Sequence, residues 1–287
     1  MTMPFSGQIS LGDARTELPA DYSPTSQITL NDNAVRTLFD KTGAGTNIQL
    51  SDGYGKSNRK SLPVIASTQT NLSINVSTLS GYVAGKSDIT ITINSGAIIS
   101  STTTGSPALT ISGAVAGDTV TLINNGTIVG RGGNGGNGGG GTHDPFPTVG
   151  GAGGTAISLG CALSITNNGT IGGGGGGGGG GSMYSGARNV STGGGGGGGA
   201  GYGTGGTTGG GTGGATTGGG GGSNGSVGGT GGGLGASGST GGSATFRSLF
   251  SVITATGREG GAGGKAIALN GNTLTWLTQG TVYGSVS

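Results

Sequence analysis

This chain has one cysteine, Cys161, so no internal disulfide framework can hold it together. In "AISLGCALSI" that cysteine reads as a small buried apolar residue rather than a reactive thiol. It has one histidine, His143, which excludes a histidine-rich metal site and any catalysis that needs two imidazoles. Charged residues amount to 8% and the net charge is +2, with no basic stripe, so nucleic acid is not an expected partner. No run approaches the ~18 apolar residues of a membrane span. The opening "MTMPFSGQISLGDARTEL" lacks the basic start and apolar stretch of a secretory signal. The expectation is a protein made in a cytoplasm that leaves by a route such as lysis.

Glycine is abundant instead: 78 of 287 residues, with only 30% hydrophobic. Such a composition ordinarily reads as flexible or disordered. The arrangement along the chain argues otherwise, and it divides the chain into parts.

Residues 1–60 carry Asp13, Glu17, Asp21, Asp32, Asp40 and Asp52, six of the ten acidic residues. They also carry a repeat, I-x-L-x-D, at "GQISLGD" (7–13), "SQITLND" (26–32) and "TNIQLSD" (46–52). After the second copy, "NDNAVRTLF" predicts one or two helical turns, capped by Asn31 or Asp32, with Val35, Leu38 and Phe39 on one face. Three short units with so few apolar residues bury little core alone. The segment is expected to fold against something else, as a docking module.

Residues 61–130 read as a β-rich scaffold. "DITITINSGAIIS" (88–100) alternates strictly, and "ALTISGAVAGDTVTLINNGTIVG" (108–130) holds two further runs. A unit of strand, turn, strand and N/Q-G-T-I/V then appears three times: "LINNGTIVG" (122–130), "SITNNGTIGG" (164–173) and "TWLTQGTVYG" (275–284). Recurrence of this kind predicts stacked coils of a β-solenoid, with scaffold strands also near 155–171 and over 266–287. Trp276 is assigned to scaffold packing.

Residues 131–265 alternate glycine blocks with inserts. Ten glycines run from Gly172 to Gly181 and seven from Gly193 to Gly199. A polyproline-II-type helix has three residues per turn and no internal hydrogen bonds, so its backbone groups point outward. Side by side, such helices can satisfy one another, and an interior one has no room for a Cβ. The longest blocks suit interior helices of roughly 20–30 Å. "GGNGGNGGG" (132–140), with asparagine every third residue, suits a more open place. The inserts, rich in Phe, Tyr and Arg, then become loops on a rigid support, where recognition usually resides.

"INNGTIVGRGGNGGNGGGG" (123–141), followed by glycine blocks with variable inserts, resembles the distal tail-fibre adhesins of T-even-like bacteriophages. The resemblance covers residues 61–287. It implies a mainly β and irregular fold: a small attachment module, a β-solenoid-like scaffold, and a polyglycine-II helix bundle with loop tips. It implies a phage adhesin at the virion tail-fibre tip that binds a porin-like bacterial outer-membrane protein and sets host range. The I-x-L-x-D repeat departs from that pattern and is closer to the start of other phage tail structural proteins. It implies attachment to a tail or fibre protein. The candidate receptor contacts are His143, Phe146, Tyr184, Arg188, Tyr202, Phe246, Arg247, Leu249 and Phe250, since aromatic residues and arginine dominate binding at interfaces. Phe250 and Ile253 could equally form a small core under the last insert.

Enzymatic signals are poor. "GTHDPFP" pairs His143 with Asp144, but with two prolines just after it, in a loop context, it reads as recognition sequence. Gly-x-Gly-x-x-Gly matches arise by chance in so glycine-rich a chain, and no helix with a following acidic residue supports them. No cofactor, metal or catalytic role is expected. Two other readings stay open: a polyglycine-II ice-binding protein, and a purely structural virion spacer.

Overall fold

The computed structural model describes residues 3–4, 8, 10–18, 27–41, 47–54, 59–139, 146–182, 184–186, 189–191, 193–206, 209–214, 216–222, 226–247 and 252–287. For 184–186, 189–191, 246–247 and 252–253 it describes the backbone alone. The protein is mainly β, with few helical turns.

The chain circles through three parallel sheets in rotation. The first circuit is Lys60–Ala66 (β1), Gln69–Thr70 (β2) and Leu72–Asn75 (β3). The second is Ser87–Ile93 (β4), Ile98–Ser100 (β5) and Leu109–Ser112 (β6). The third is Thr119–Asn124 (β7), Thr127–Val129 (β8) and Ile157–Gly160 (β9). The fourth is Leu163–Asn167 (β10), Thr170–Gly172 (β11) and, after two hairpins described below, Ile267–Ala268 (β16). A fifth ends the stack with Leu274–Thr278 (β17), Thr281–Tyr283 (β18) and a parallel bridge from Val286 to Ile267. The sheets therefore run β1-β4-β7-β10-β17, β2-β5-β8-β11-β18 and β3-β6-β9-β16.

Alternation explains the core. In β4, Ile89, Ile91 and Ile93 point inward and are fully buried, while Asp88, Thr90 and Thr92 face out. Parallel register stacks like on like: Val64, Ile91, Leu122, Ile165 and Trp276 form one ladder, and Ile99, Ile128, Ile171 and Val282 another. Each buried branched side chain contributes roughly 1.5–3 kcal/mol.

The N-N-G-T motif builds the corner between the first and second sheets. Of each Asn pair, the first points in. Asn124 and Asn167 are completely buried; Asn124 Nδ2 donates to Asn167 Oδ1 at 2.8 Å. Asn167 Nδ2 donates in turn to the carbonyls of Gln279 (2.8 Å) and Thr281 (3.0 Å). The second of each pair points out, Asn168 bonding Asn125 at the surface. Asn167→Ala orphans buried polar groups and is expected to cost about 2–3 kcal/mol, whereas Asn168→Ala costs about 0.5 kcal/mol or less. Chemical denaturation of the two variants side by side checks this.

At the edge of the first circuits Arg59 binds the Asp88 carboxylate (Nε to Oδ2 2.7 Å), and Tyr82 Oη donates to Asp118 at 2.6 Å. The hydrogen bond from Arg59 holds the Asp88 carboxyl below its usual range. Burial would raise Asp118, but hydrogen bonds from Tyr82 and the N–H groups of Val115, Ser87 and Gly85 outweigh it, leaving that carboxyl lowered too. The same bond to Asp118, with burial, pushes the Tyr82 phenol up to about 12. Depressed carboxyls stabilise the fold above the ordinary carboxylate range near ~4 and lose that contribution as pH falls through their folded values. The raised phenol stabilises fully below its ordinary value near ~10 and is lost as pH rises toward about 12. Melting temperature against pH should therefore fall at both extremes, and Tyr82→Phe should remove the alkaline fall while leaving the Asp88 part of the acid one.

Each I-x-L-x-D copy closes the same turn. The aspartate side chain accepts the N–H three residues back: Ser10 to Asp13 (2.7 Å), Thr29 to Asp32 (2.8 Å) and Gln49 to Asp52 (2.8 Å). The first turn starts helix Leu11–Glu17 (α1), the second Asn33–Leu38 (α2), and the third a 3-10 turn, Leu50–Gly53. Val35, Leu38 and Phe39 are buried as the helix pattern predicts. The three units do form a core on one another, with Met3, Ala14, Leu18, Ile28, Val35, Leu38 and Phe39 buried together. Lys86 of the second circuit donates to the Leu18 carbonyl and ties this module to the sheets.

Candidate functional site

Every large insertion leaves the circuits at one corner, between the second and third sheets. That corner is Asn71 alone in the first circuit, 101–108 in the second, 130–156 in the third and 173–266 in the fourth. The glycine-rich part is thus two excursions from adjacent circuits, and both start and finish against the scaffold.

Outside the strands, these segments bond to one another with a period of three. Gly174, Gly177 and Gly180 donate to the carbonyls of Gly154, Gly151 and Thr148. Gly175, Gly178 and Gly181 donate to Ala200, Gly197 and Gly194, and Gly176, Gly179 and Ser182 to Ala236, Ser239 and Gly242. The carbonyls of the same run accept from Gly264, Gly261 and Arg258, from Gly133, Gly136 and Gly139, and from Gly232 and Gly229. These bonds are 2.7–3.0 Å long. Six segments surround this one, and the partner numbers show that it runs parallel to some and antiparallel to others. A Cβ on Gly176 would lie 1.8 Å from the Gly261 carbonyl oxygen, and one on Gly179 1.8 Å from that of Arg258.

Following the bonds from layer to layer fixes which turns share an end. Ala200–Gly203 and Leu234–Gly235 are scaffold-side turns, Gly214 lies at the same end with its N–H on the Thr217 carbonyl, and Ala200 and Leu234 are buried against Val129. The opposite, distal end carries Gly139, Phe146, Ser182, Gly194, Gly222 and Ser226. Two antiparallel hairpins stand there: Tyr184–Gly186 (β12) with Asn189–Ser191 (β13), and Ala244–Arg247 (β14) with Val252–Ala255 (β15).

Ser182, almost wholly buried, joins their feet. Its Oγ donates to the Ala255 carbonyl (2.8 Å) and accepts the Ala244 N–H (2.7 Å), and its carbonyl accepts from Ser226 Oγ. Arg258 Nε donates to the Pro147 carbonyl at 3.2 Å, pinning the neighbouring segment. Between them lies an open groove of about 300 Å³ lined by Phe146, Pro147, Ser182, Thr254, Ala255, Thr256 and Arg258. Phe146 is 69% exposed beside it, and Val149 and Val227 are also exposed at this end.

The structure brings Phe146, Tyr184, Phe246 and Arg247 to the distal end, the last three by their backbone positions in β12 and β14. His143, Arg188, Leu249 and Phe250 lie outside the described residues. Tyr202 stands apart. It lies in the Ala200–Gly203 turn at the scaffold end, with φ of 64°, where Gly201 N donates to the Gly214 carbonyl. The residues that sequence missed are the uncharged groove walls, Ser182 and Thr254–Thr256. A serine at the end of the ten-glycine block, where a side chain is first admitted, was the available signal.

A family model for the phage tail fibre adhesin Gp38 matches residues 62–287. Among solved structures, the chain is similar to one in the crystal structure of the gp37-gp38 adhesin tip complex of the bacteriophage S16 long tail fiber. Identity is 23%, the match covers 99% of this chain and 100% of that one, and the TM-score is 0.52. No curated protein matches. The family match begins inside β1, so the I-x-L-x-D module lies before it. A mainly β chain whose two hairpins stand at the far end of bonded glycine segments, matched by that family model over most of its length, belongs to the phage tail fibre adhesin Gp38 family.

Proposed function

We propose that this chain is the receptor-binding tip of a phage tail fibre. The glycine segments are polyglycine-II helices, and the β-circuits over 61–130 and 266–287 are a solenoid that feeds and closes the bundle. The distal inserts bind a porin-like protein of the bacterial outer membrane and set host range. Residues 1–60 join the tip to the fibre protein, as the S16 relative is found with a second fibre protein in a tip complex. The protein is made in the host cytoplasm, carried on the virion, and acts by binding, with neither catalysis nor cofactor.

One observation carries this reading: Phe146, the groove and both hairpins share the end farthest from the scaffold, on segments whose backbone groups bond all round. Rigid support lowers the ordering cost of binding, and exposed aromatic and apolar groups beside a groove supply contact area. The test is adsorption. Purified protein should compete with phage for host cells, and a strain lacking the receptor porin should neither bind the protein nor adsorb the phage. A protein that binds no host cell would refute the reading.

Ice binding draws on one feature, the outward row Thr90, Thr121, Ser164 and Thr275 in register on the first sheet. The neighbouring row is interrupted by Ile123. A thermal-hysteresis assay separates the two.

A further inference from the structure

The distal groove is built around one cation. Among the described residues that line it, Arg258 alone is charged. No charged residue occurs between Arg188 and Arg247, so the glycine segments over that stretch add none. The backbone of Arg258 is fixed from two sides: its N–H donates to the Gly180 carbonyl at 3.0 Å, and its carbonyl accepts the Gly241 N–H at 2.9 Å. Its side chain is fixed from a third, since Nε donates to the Pro147 carbonyl at 3.2 Å. With Nε occupied, the terminal nitrogens Nη1 and Nη2 are the donors left to the groove, and no ion pair among the described residues engages them.

The other polar groups divide into committed and available. Ser182 Oγ is bonded to Ala255 and Ala244, and the Pro147 carbonyl takes the arginine. Thr254 and Thr256 are exposed at the wall, and their hydroxyls can donate as well as accept. Phe146 adds an exposed ring. A guanidinium oriented in this way presents paired N–H groups that match the two oxygens of a carboxylate. A phosphate carries about −1.5 to −2 and calls for more than one cation. Glu259, exposed on the next residue, further disfavours a multiply charged anion.

We infer that the groove is a subsite for one acidic side chain, an aspartate or glutamate in an exposed loop of the receptor protein. Arg258 pairs its carboxylate, the threonines complete the hydrogen bonding, and Phe146 covers its apolar stem. The inference rests on the receptor-binding reading above and adds the chemistry of the residue that is bound.

The purified full-length chain is bound to host cells before and after their exposed carboxylates are converted to amides with a water-soluble carbodiimide and glycinamide. Amidation should weaken wild-type binding roughly tenfold. Arg258→Gln should bind untreated cells roughly tenfold more weakly, and amidation should cost it less than about twofold more, because both changes remove the same pair. Arg258→Lys keeps the charge without the fork and should lose severalfold. Both variants should melt within a few degrees of wild type; if Arg258→Gln does not, the comparison is read from Arg258→Lys, whose loss should shrink on amidated cells. In a second arm, lipopolysaccharide purified from a strain without the receptor protein is the competitor, and it should act equally on wild type and Arg258→Gln. Competition against the wild type alone assigns the arginine to a lipid anion and overturns the inference. Equal amidation losses in both chains, or no loss from Arg258→Gln, overturn it too and leave receptor binding intact. A wild-type chain that binds no host cell overturns that reading and the inference with it.

Discussion

Gly178→Ala should disrupt the glycine-rich part, while the same exchange at Gly220 should leave it folded. Both sit in all-glycine blocks, and composition does not tell them apart. At Gly178 an added Cβ would lie 2.1 Å from the carbonyl oxygen of Gly229 and 2.4 Å from its carbonyl carbon. The obstacle is backbone, so no rotamer relieves it. Gly229 is itself bonded on both sides, donating to Gly179 and accepting from Gly197. Making room means separating segments and losing several hydrogen bonds at once, each worth about 0.5–1.5 kcal/mol. Overpacking alone costs about 1–3 kcal/mol in ordinary cores. The sum, above roughly 3 kcal/mol, is a large share of a typical stability. At Gly220 a Cβ would meet nothing within 4 Å, and its φ is not in the left-handed region. There alanine removes unfolded-state freedom and should be neutral or stabilising by about 0.4–1 kcal/mol. Limited proteolysis and thermal melting of the two variants decide the matter. Equal tolerance at both positions would contradict the six-sided packing of the central run.

Much of this was legible in sequence because the constraints are local. Alternation in "DITITI" sets which side of β4 is buried, and the turns after Asn31–Asp32 set the helix over Val35 and Phe39. The longest block without a single Cβ, Gly172–Gly181, is the segment enclosed on every side, whereas the shorter block at Gly218–Gly222 leaves Gly220 open. Other features depend on distant pairing. The recurrence of N/Q-G-T shows three coils, while five circuits stack, because β1 and β4 reach the next strand without that corner. α1 reads as a short alternating stretch, although Ser10 and Asp13 cap it reciprocally. A serine at the N-cap followed three residues later by an acid was the signal. Which inserts share an end was the least legible. It depends on how many times the chain crosses the bundle before each turn, and short crossings such as 203–206 and 210–214 move Tyr202 to the scaffold side.

Replacing residues 243–256 with a two-residue turn should abolish adsorption while sparing the fold. The chain enters and leaves this insert through neighbouring segments: a Cβ on Gly257 would lie 2.0 Å from the Gly241 carbonyl, so a tight turn can close the gap. The bonds that hold those segments lie below the hairpin, from Gly241 N to Arg258 and from Ser182 N to Gly242. Melting temperature should therefore shift by only a few degrees, in line with a lost surface hairpin. The consequence for binding is much larger. Thr254, Ala255 and Thr256 form one wall of the groove beside Phe146, and β14 brings Phe246 and Arg247 to the same end. Deleting that wall removes a cluster of contacts of the kind that dominates interfaces, and adsorption should fall on the order of a hundredfold or more. Phe146→Ala, which trims one exposed ring, should cost roughly tenfold. Tyr202→Ala, at the opposite end of the bundle, should change adsorption less than about twofold, since contacts outside the binding face contribute little. If the shortened chain still adsorbs, or if Tyr202 proves as sensitive as Phe146, the receptor surface is not the distal end.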